Sequence, residues 1–194
     1  MDGAATSPDE LAFRFVTGRP ALALTATVGE RWRGQVERLR SPADLARWYV
    51  AAGLLPAPPP VSRQHLRRCR ELREAVYRSA RRRMQAAPPR PEDLRVINAA
   101  AALPPLAPRL EDGSVRWDGG ADPAAAALSS VARDAVDLLG GADAGRLREC
   151  ASPTCALLFL DTSRPAGRRW CSSATCGAAA RAAAYRRRRT TTSR

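Results

Sequence analysis

The sequence predicts an α+β fold: a mostly helical N-terminal domain with short β-hairpins, followed by a small cysteine-rich module. Three observations support this class. Apolar residues recur at helical spacing behind capping residues, turn dipeptides separate short strand-like runs, and four of the five cysteines fall in the last quarter of the chain. With 194 residues and a mass of 20.9 kDa, the chain is long enough to bury a hydrophobic core of ordinary size.

The first forty residues carry the weakest helical signal. We expect residues 1–10 to be a disordered leader. Residues 12–16 and 21–27 are short apolar runs on either side of Thr17-Gly18-Arg19-Pro20, a combination that predicts a short β-hairpin or two strand pieces.

Two helices with strong start signals follow. Ser41-Pro42-Ala43-Asp44 supplies a hydroxyl cap, a proline at the first helical position and a carboxylate near the free amides, and Gly53 is a natural stop. Ser62 caps a longer helix that we expect to reach about Arg83. His65 in its first turn is predicted to have a surface or capping role, since the chain contains no second histidine for a metal motif.

Two further helices flank a hairpin signal. Pro91-Glu92-Asp93 starts a helix that Pro104-Pro105 stops, and Asp122-Pro123 opens another that Gly140-Gly141 ends. Between them, Asp112-Gly113 separates two strand-like runs, residues 106–111 and 114–117, which predicts a β-hairpin.

The cysteines of the C-terminal part form two symmetric pairs. Cys150 and Cys155 make one pair and Cys171 and Cys176 the other, each with four residues between its members. Thiolates at this spacing can converge on one tetrahedral zinc ion. Disulfides are the alternative, and they are disfavoured because nothing that resembles a signal peptide precedes the cysteines. Four thiolates fill the coordination sphere, so the predicted cofactor is one structural Zn²⁺ without a catalytic role.

The segments around the cysteines predict a small treble-clef-like zinc finger. Residues 157–160 and 168–170 are expected to be the two strands of a hairpin that turns around Pro165-Ala166-Gly167. A helix rich in Ala and Arg is expected from Ala174 onward. A cysteine knuckle, a hairpin, and a helix whose start supplies the second cysteine pair are the parts of a treble clef.

Arginine dominates the charge of the chain. The net charge is +13, all 32 basic residues are Arg, and no acidic residue follows Asp161. Such a surface suits a phosphate backbone, because each neutralised phosphate releases counterions. The alternative is that the final arginine run is a solvated tail, as terminal charge runs commonly are. The predicted nucleic-acid-binding residues are Arg168, Arg169, Arg181, Arg186, Arg187, Arg188 and Arg189.

Two groups of residues form recognisable motifs. The first comprises Cys155, residues 159–164, residues 168–172, Cys176-Gly177, Arg181 and Tyr185-Arg186. The second comprises residues 20–22, 45–48, 51–54 and 72–75, and Asp112-Gly113 with Trp117. The first group resembles the CGNR zinc finger, a bacterial module assigned to DNA binding. The second is similar to the ABATE domain, which precedes that finger in proteins described as stress-induced transcriptional regulators.

The resemblance implies a division of the chain into parts. These are a disordered leader (1–10), an ABATE-like helical domain (11–144), a CGNR-type zinc finger (145–189) and a disordered tail (190–194).

The chain departs from the family pattern in two places. The name-giving Cys-Gly-Asn-Arg is here Cys176-Gly177-Ala178-Ala179, so the Asn amide and the Arg guanidinium are missing from the start of the helix. Upstream, the Leu-Asp-x-x-Asn-Thr run of the family reads Leu22-Ala23-Leu24-Thr25-Ala26-Thr27. Contacts that depend on these polar side chains in relatives are expected to be weaker or absent here.

Residues and resemblance together predict a zinc-dependent DNA-binding transcriptional regulator. In this interpretation the finger contacts DNA, and the N-terminal domain senses a signal or dimerises. The expected partners are DNA, a second copy of the chain and a small-molecule effector of the N-terminal domain. Two alternatives stay open: a zinc-stabilised protein–protein interaction or scaffold module, and an RNA binder.

Several classes of protein are disfavoured. The sequence contains no Walker loop, dinucleotide fingerprint, nucleophile elbow or metallohydrolase helix, so we expect no enzymatic activity. No apolar run approaches the ~20 residues needed to cross a bilayer, so no membrane partner is expected. The expected location is the cytoplasm, in association with the nucleoid.

Overall fold

The computed structural model of the protein describes residues 12–32 and 35–192, with side chains up to residue 188. The predicted leader lies outside the described residues. Six helices are described: α1 (Pro20–Thr25), α2 (Pro42–Ala51), α3 (Arg63–Met84), α4 (Pro91–Ala101), α5 (Pro123–Gly140) and α6 (Ala178–Thr192). A 3₁₀ turn, Ala142–Arg146, follows α5, and a π-helical turn, Ser173–Gly177, precedes α6.

Six short strands form three separate antiparallel pairs in the described part of the chain. The pairs are β1 (Val28–Gly29) with β2 (Val36–Glu37), β3 (Ala107–Glu111) with β4 (Ser114–Asp118), and β5 (Leu147–Glu149) with β6 (Leu158–Leu160). This confirms the α+β class with a mostly helical N-terminal part. None of the described helices is long and apolar enough to cross a bilayer.

The start signals of α2, α3 and α5 are confirmed. In α2 the hydroxyl of Ser41 accepts a hydrogen bond from the amide of Asp44, and the carboxylate of Asp44 accepts one from the amide of Ser41. At the start of α3, the amide of Ser62 donates to the Nδ1 atom of His65, and the amide of His65 donates to the hydroxyl of Ser62. The Nε2 atom of His65 lies 3.1 Å from Asp122, which caps α5, so one imidazole joins the starts of two helices.

Helix α1 replaces the β-hairpin or strand pieces predicted for residues 12–27, and that prediction was wrong for this segment. Its N-cap residue, Arg19, makes no side-chain cap of its own. The cap comes instead from Asp134 of α5. Its carboxylate accepts a 2.8 Å hydrogen bond from the amide of Ala21 and forms a 2.7 Å ion pair with Arg19. Because α1 is buried from Ala21 to Thr25, its residues show no amphipathic period.

The main core lies between α1 and helices α2 to α5. Its fully buried large side chains include Leu24, Leu45, Trp48, Tyr49 and Leu72. Cys69 belongs to the same core, and burial raises the pKa of its thiol to about 12. A cysteine this deeply buried and this weakly acidic acts as a small apolar side chain.

A partly buried ion network connects β2 to α3. Both guanidinium NH groups of Arg73 bind Glu37, each at 2.8 Å, and its Nε atom donates to Glu74. Arg31 completes the network with a 2.8 Å ion pair to Glu74. Burial acts to raise the pKa of Glu74, but the hydrogen bonds and charges of Arg31 and Arg73 outweigh it and hold that pKa below its usual value.

The strand pair β5–β6 packs directly on the helical part. Leu158 and Leu160 share a small core with Leu22 of α1 and Leu138 of α5. The amide of Leu160 also donates a 2.9 Å hydrogen bond to the carbonyl of Thr17. The cysteine-rich module is therefore anchored in the helical part through its own hairpin.

The capping box of α2 leads to a pH-dependent prediction. Burial acts to raise the pKa of Asp44, but hydrogen bonds from Arg47 and Ser41 outweigh it and hold the pKa below its usual value. The ionised carboxylate therefore contributes stability that is present above the ordinary Asp pKa and is lost as the pH falls through the lowered folded-state pKa. We expect Asp44→Asn to reduce the free energy of unfolding by about 1 kcal/mol at neutral pH, with a smaller loss in acid.

Urea unfolding at neutral and acidic pH measures both quantities. Asp112→Asn is the matched control, because it removes an exposed carboxylate from a turn position with φ of +48° that asparagine tolerates. Equal losses of stability at both pH values for Asp44→Asn would contradict the prediction.

Candidate metal centre and basic helix

Four cysteine sulfurs meet where β5, β6 and the start of α6 come together. The Sγ atoms of Cys150, Cys155, Cys171 and Cys176 all lie within 4.8 Å of one another. Cys150 and Cys155 flank the loop that joins β5 to β6, and Cys171 and Cys176 flank the start of the π-helical turn before α6. The structure therefore brings together all four predicted ligands.

The geometry of the cluster fits a tetrahedral zinc ion. Sulfurs at a Zn–S distance of about 2.3 Å from one tetrahedral ion lie about 3.8 Å apart. In the structure, the Sγ atom of Cys171 lies 3.8 Å from that of Cys155 and 3.7 Å from that of Cys176. The amide of Cys171 points at the Cys150 sulfur at 3.5 Å, the kind of N–H···S contact that stabilises a metal thiolate. The cluster is a structural zinc site with four sulfur ligands.

Without a metal, the thiols of the cluster do not ionise alike. Hydrogen bonding from Cys171 lowers the pKa of Cys155 to about 5, and the same contact raises the pKa of Cys171 well above its ordinary value. Without a cation, mutual repulsion and burial allow few thiolates in so small a space. A bound Zn²⁺ supplies the charge that lets all four ionise.

The knuckle around the first cysteine pair is held by backbone hydrogen bonds. The amide of Cys150 donates to the carbonyl of Leu157 at 2.9 Å, and the amide of Cys155 donates to that of Ser152 at 3.1 Å. The loop that carries Cys150 and Cys155 is therefore the turn of the β5–β6 hairpin. The partner predicted for residues 157–160 was wrong, because β6 pairs with Leu147–Glu149 and not with residues 168–170.

Asp161 explains why residues 168–170 do not form a strand. This fully buried carboxylate accepts hydrogen bonds from the amide of Ser163 at 3.0 Å, the hydroxyl of Ser163 at 2.6 Å and the amide of Arg168 at 2.9 Å. These bonds, the Ser163 hydroxyl first, hold the pKa of Asp161 below its usual value. The chain from 161 to 168 is closed into a loop around one side chain, and the amide of Arg168 is unavailable to a sheet.

Arg168 is engaged inside the finger. Its Nε atom donates to the carbonyl of Trp170 at 2.8 Å, an NH₂ group donates to the carbonyl of Cys171, and the guanidinium lies 4.8 Å from the ring centre of Phe159. These contacts hold the segment that leads into the second cysteine pair. Of the predicted nucleic-acid-binding residues, this one has a clear positioning role.

The other predicted arginines lie further out. Arg169 is exposed, with its guanidinium over the Trp170 ring at 5.2 Å. Arg181 is also exposed and donates a 3.1 Å hydrogen bond to the carbonyl of Ser173 in the turn before α6. Arg186, Arg187 and Arg188 are exposed on α6, and the side chain of Arg189 lies outside the described residues.

Helix α6 starts at the metal cluster and continues to Thr192. Ser172 caps the turn that precedes it by accepting a 3.2 Å hydrogen bond from the amide of Thr175. Gly177 is buried against Trp170, and a Cβ atom there would approach the Trp170 ring within 3.2 Å. The helix includes residues 190–192, which were predicted to belong to a disordered tail.

Two arginines near the metal were not predicted from the sequence. Arg14 and Arg38 line a cavity of about 160 Å³ beside Cys155 and Cys176. Arg38 is buried and donates to the carbonyls of Ala12 and Ala26. Two positive side chains therefore line the same cavity as two cysteines of the cluster, whose zinc tetrathiolate form would carry a formal charge of about −2. Both arginines are more than a hundred positions from the cysteines, so no local signal could have revealed them.

Fold and site together define a helical domain joined to a C-terminal treble-clef-like zinc finger. The profile of the ABATE family, described as "Putative stress-induced transcription regulator", matches residues 18–142, and the profile of the CGNR zinc finger matches residues 146–189. The first match covers more than half of the chain, and the chain belongs to the ABATE family. A search of the curated proteins found no match.

The zinc site leads to a prediction about metal removal. We expect freshly reduced protein to contain one zinc ion per chain, and chelation to unfold residues 147–177 first, because metal binding supplies much of the folding energy of so small a module. Helix α1 should loosen with them, since Leu22 packs on Leu158 and Leu160. Helices α2 to α5 should keep their amide protection in hydrogen exchange measured by mass spectrometry.

The five cysteines offer a matched pair of variants. Cys171→Ser should lose zinc by elemental analysis, whereas Cys69→Ala, which changes a cysteine of the main core, should keep it. Reduced protein without zinc, or a disulfide between the two cysteine pairs, would show that the site has been misassigned.

Proposed function

We propose that this protein is a DNA-binding transcriptional regulator whose zinc finger contacts the phosphate backbone through α6. The observation that carries the proposal is the fixed, exposed and strongly cationic helix that begins at the metal cluster. At about 1.5 Å per residue, its fifteen residues extend over about 22 Å, enough to follow several phosphates.

The charge of the finger supports an anionic partner. From Arg164 onward the chain carries nine arginines and no acidic residue. The formal charge of a zinc tetrathiolate, about −2, is far smaller than this excess. Arg169, Arg181 and Arg186 to Arg188 are exposed, which makes them the proposed phosphate contacts, with Arg189 continuing the run.

The proposed mode of binding is mainly non-specific. Ala178 and Ala179 occupy the first turn of α6 where the family carries Asn and Arg, and neither methyl group can donate a hydrogen bond to a base edge. Phosphate contacts position a protein on DNA and carry no sequence information themselves. Sequence discrimination by this chain would therefore need geometry from another source, such as a dimer.

A second candidate function is structural, and one observation favours it. The strand β6 lies in the core shared with the helical part, so the zinc cluster also braces that part of the molecule. A finger with only this role would present its arginines to solvent without a nucleic-acid partner. A further alternative is binding of single-stranded RNA. For that function α6 offers one exposed aromatic side chain, Tyr185, as a stacking platform.

The arginine run provides the direct test. Replacing Arg186 to Arg189 with Gln should weaken binding to duplex DNA about equally for all sequences, because the lost contacts are with phosphates. The slope of log affinity against log salt should become shallower by up to ~0.9 per lost contact. Titration of labelled duplexes at several salt concentrations measures both quantities, with single-stranded RNA and an uncharged polymer as competing ligands.

A control with the same change in charge separates local from global electrostatics. Arg63, Arg67, Arg68 and Arg95 are exposed on α3 and α4, and their replacement by Gln also removes four positive charges. This variant should keep the salt slope of the wild type. If the α6 variant also keeps it, the run is a solvated tail and the structural function is favoured.

The first turn of α6 provides a gain-of-contact test. Ala178→Asn combined with Ala179→Arg should raise the affinity for duplex DNA or the preference for one sequence, because a helix start offers amide protons and side chains together. Zinc content and thermal stability are measured in parallel. A change in thermal stability alone would identify the pair as a clamp within the finger, and would place any reading of DNA elsewhere.

A further inference from the structure

The β3–β4 hairpin has one apolar face and one polar face. Leu110 lies directly opposite Val115, and Pro108 lies opposite Trp117. Because side chains alternate along a strand, these four residues share a face of the two-stranded ribbon. The opposite face carries Ala107, Arg109, Glu111, Ser114, Arg116 and Asp118.

The apolar face of this hairpin is turned to solvent. Leu110 is 79% exposed, Val115 62% and Trp117 49%, whereas most large apolar residues of the described chain are buried. The polar face is open to solvent as well, since residues 107–117 are all exposed and the hairpin projects from the body along most of its length. A hairpin that projects in this way leaves its apolar face without a covering layer.

The hairpin is well specified despite this exposure. Asp112 and Gly113 have φ values of +48° and +74°, as a tight two-residue hairpin turn requires. Arg109 pairs with Asp118 at 2.5 Å, and Asp118 accepts a further 2.8 Å bond from the amide of Gly120. An isolated two-stranded hairpin is marginally stable in water, so a partner on the apolar face would complete it.

Local charge points to a second copy of this chain as the partner. The chain as a whole carries a net charge of +13, which opposes the approach of two copies. Residues 107–118 contain two arginines and three carboxylates, a local charge of −1, so the hairpin is a place where copies can meet without that repulsion. This local charge disfavours nucleic acid as the partner of the same face.

The available area is consistent with a two-fold interface. Side chains as exposed as Leu110, Val115 and Trp117, with Pro108 beside them, present on the order of 400 Å² of apolar surface per copy. Two copies would cover roughly 800 Å² before the polar rim is counted, and the rim would supply the rest of the roughly 1,200 Å² at which specific interfaces begin. A two-stranded face of this kind can pack against its own copy about a two-fold axis.

We propose that the apolar face of the β3–β4 hairpin is the homodimer interface of this protein. The face of one copy packs against the same face of the other, with Leu110 and Val115 at the centre and Trp117 toward the base of each hairpin. The proposal is independent of DNA binding, and its test uses the zinc-loaded full chain without nucleic acid.

Sedimentation velocity across a range of concentrations tests the interface. The wild type should show a monomer–dimer equilibrium, and Leu110→Thr combined with Val115→Thr should weaken the dimer dissociation constant by about tenfold or more. Threonine keeps the preference for a strand while removing apolar surface. Val136→Thr, which trims a residue 45% exposed on α5, is the matched control and should leave the equilibrium unchanged.

Hydrogen exchange locates the contact. Amides of residues 107–118 should become more protected as the wild-type concentration rises, and should not do so in the double variant. A wild type that stays monomeric at its solubility limit overturns the proposal. So does a dimer whose dissociation constant and exchange pattern are unaffected by the double substitution, because that dimer would use another surface.

Discussion

Strand β6 is the constraint on which the rest of the structure depends. Its three residues are buried, and the alternation of side chains divides them between two cores. Leu158 and Leu160 face Leu22 and Leu138 of the helical part, whereas Phe159 packs with the cysteines. One short strand thus separates a conventional apolar core from a metal-centred one. The finger cannot move as an independent unit, because β6 of its hairpin packs in the core of the helical part.

The helices predicted correctly are those whose signals are local. Ser41, Ser62 and Asp122 each cap a helix by accepting a hydrogen bond from the amide three residues later. The signal for each helix start is therefore contained in a few consecutive residues. Helix α1 is the opposite case. Its cap, Asp134, is more than a hundred residues away, and its burial on all sides removes the period that distinguishes a helix from a strand. Only the assembled bundle supplies both facts.

The metal site shows the same division. Thiolate chemistry and the paired spacing were enough to predict which four cysteines meet in the fold, because a tetrahedral ion needs four such ligands. The route of the chain between the ligands was not predictable in this way. Asp161 diverts the amide of Arg168 from a ladder hydrogen bond, and a single carboxylate in a loop has no periodic signature. Arg38 shares a cavity with Cys155 and Cys176 only because of the tertiary fold.

The arginines of α6 have a consequence for how this surface is regulated. A guanidinium group has a pKa above about 12, so the charge of the helix stays constant over the whole physiological pH range. Acetylation, which neutralises lysine ammonium groups in many basic proteins, has no target in a chain whose 32 basic residues are all Arg. The positive charge of these side chains is therefore permanent over that pH range, and lysine acetylation cannot remove it.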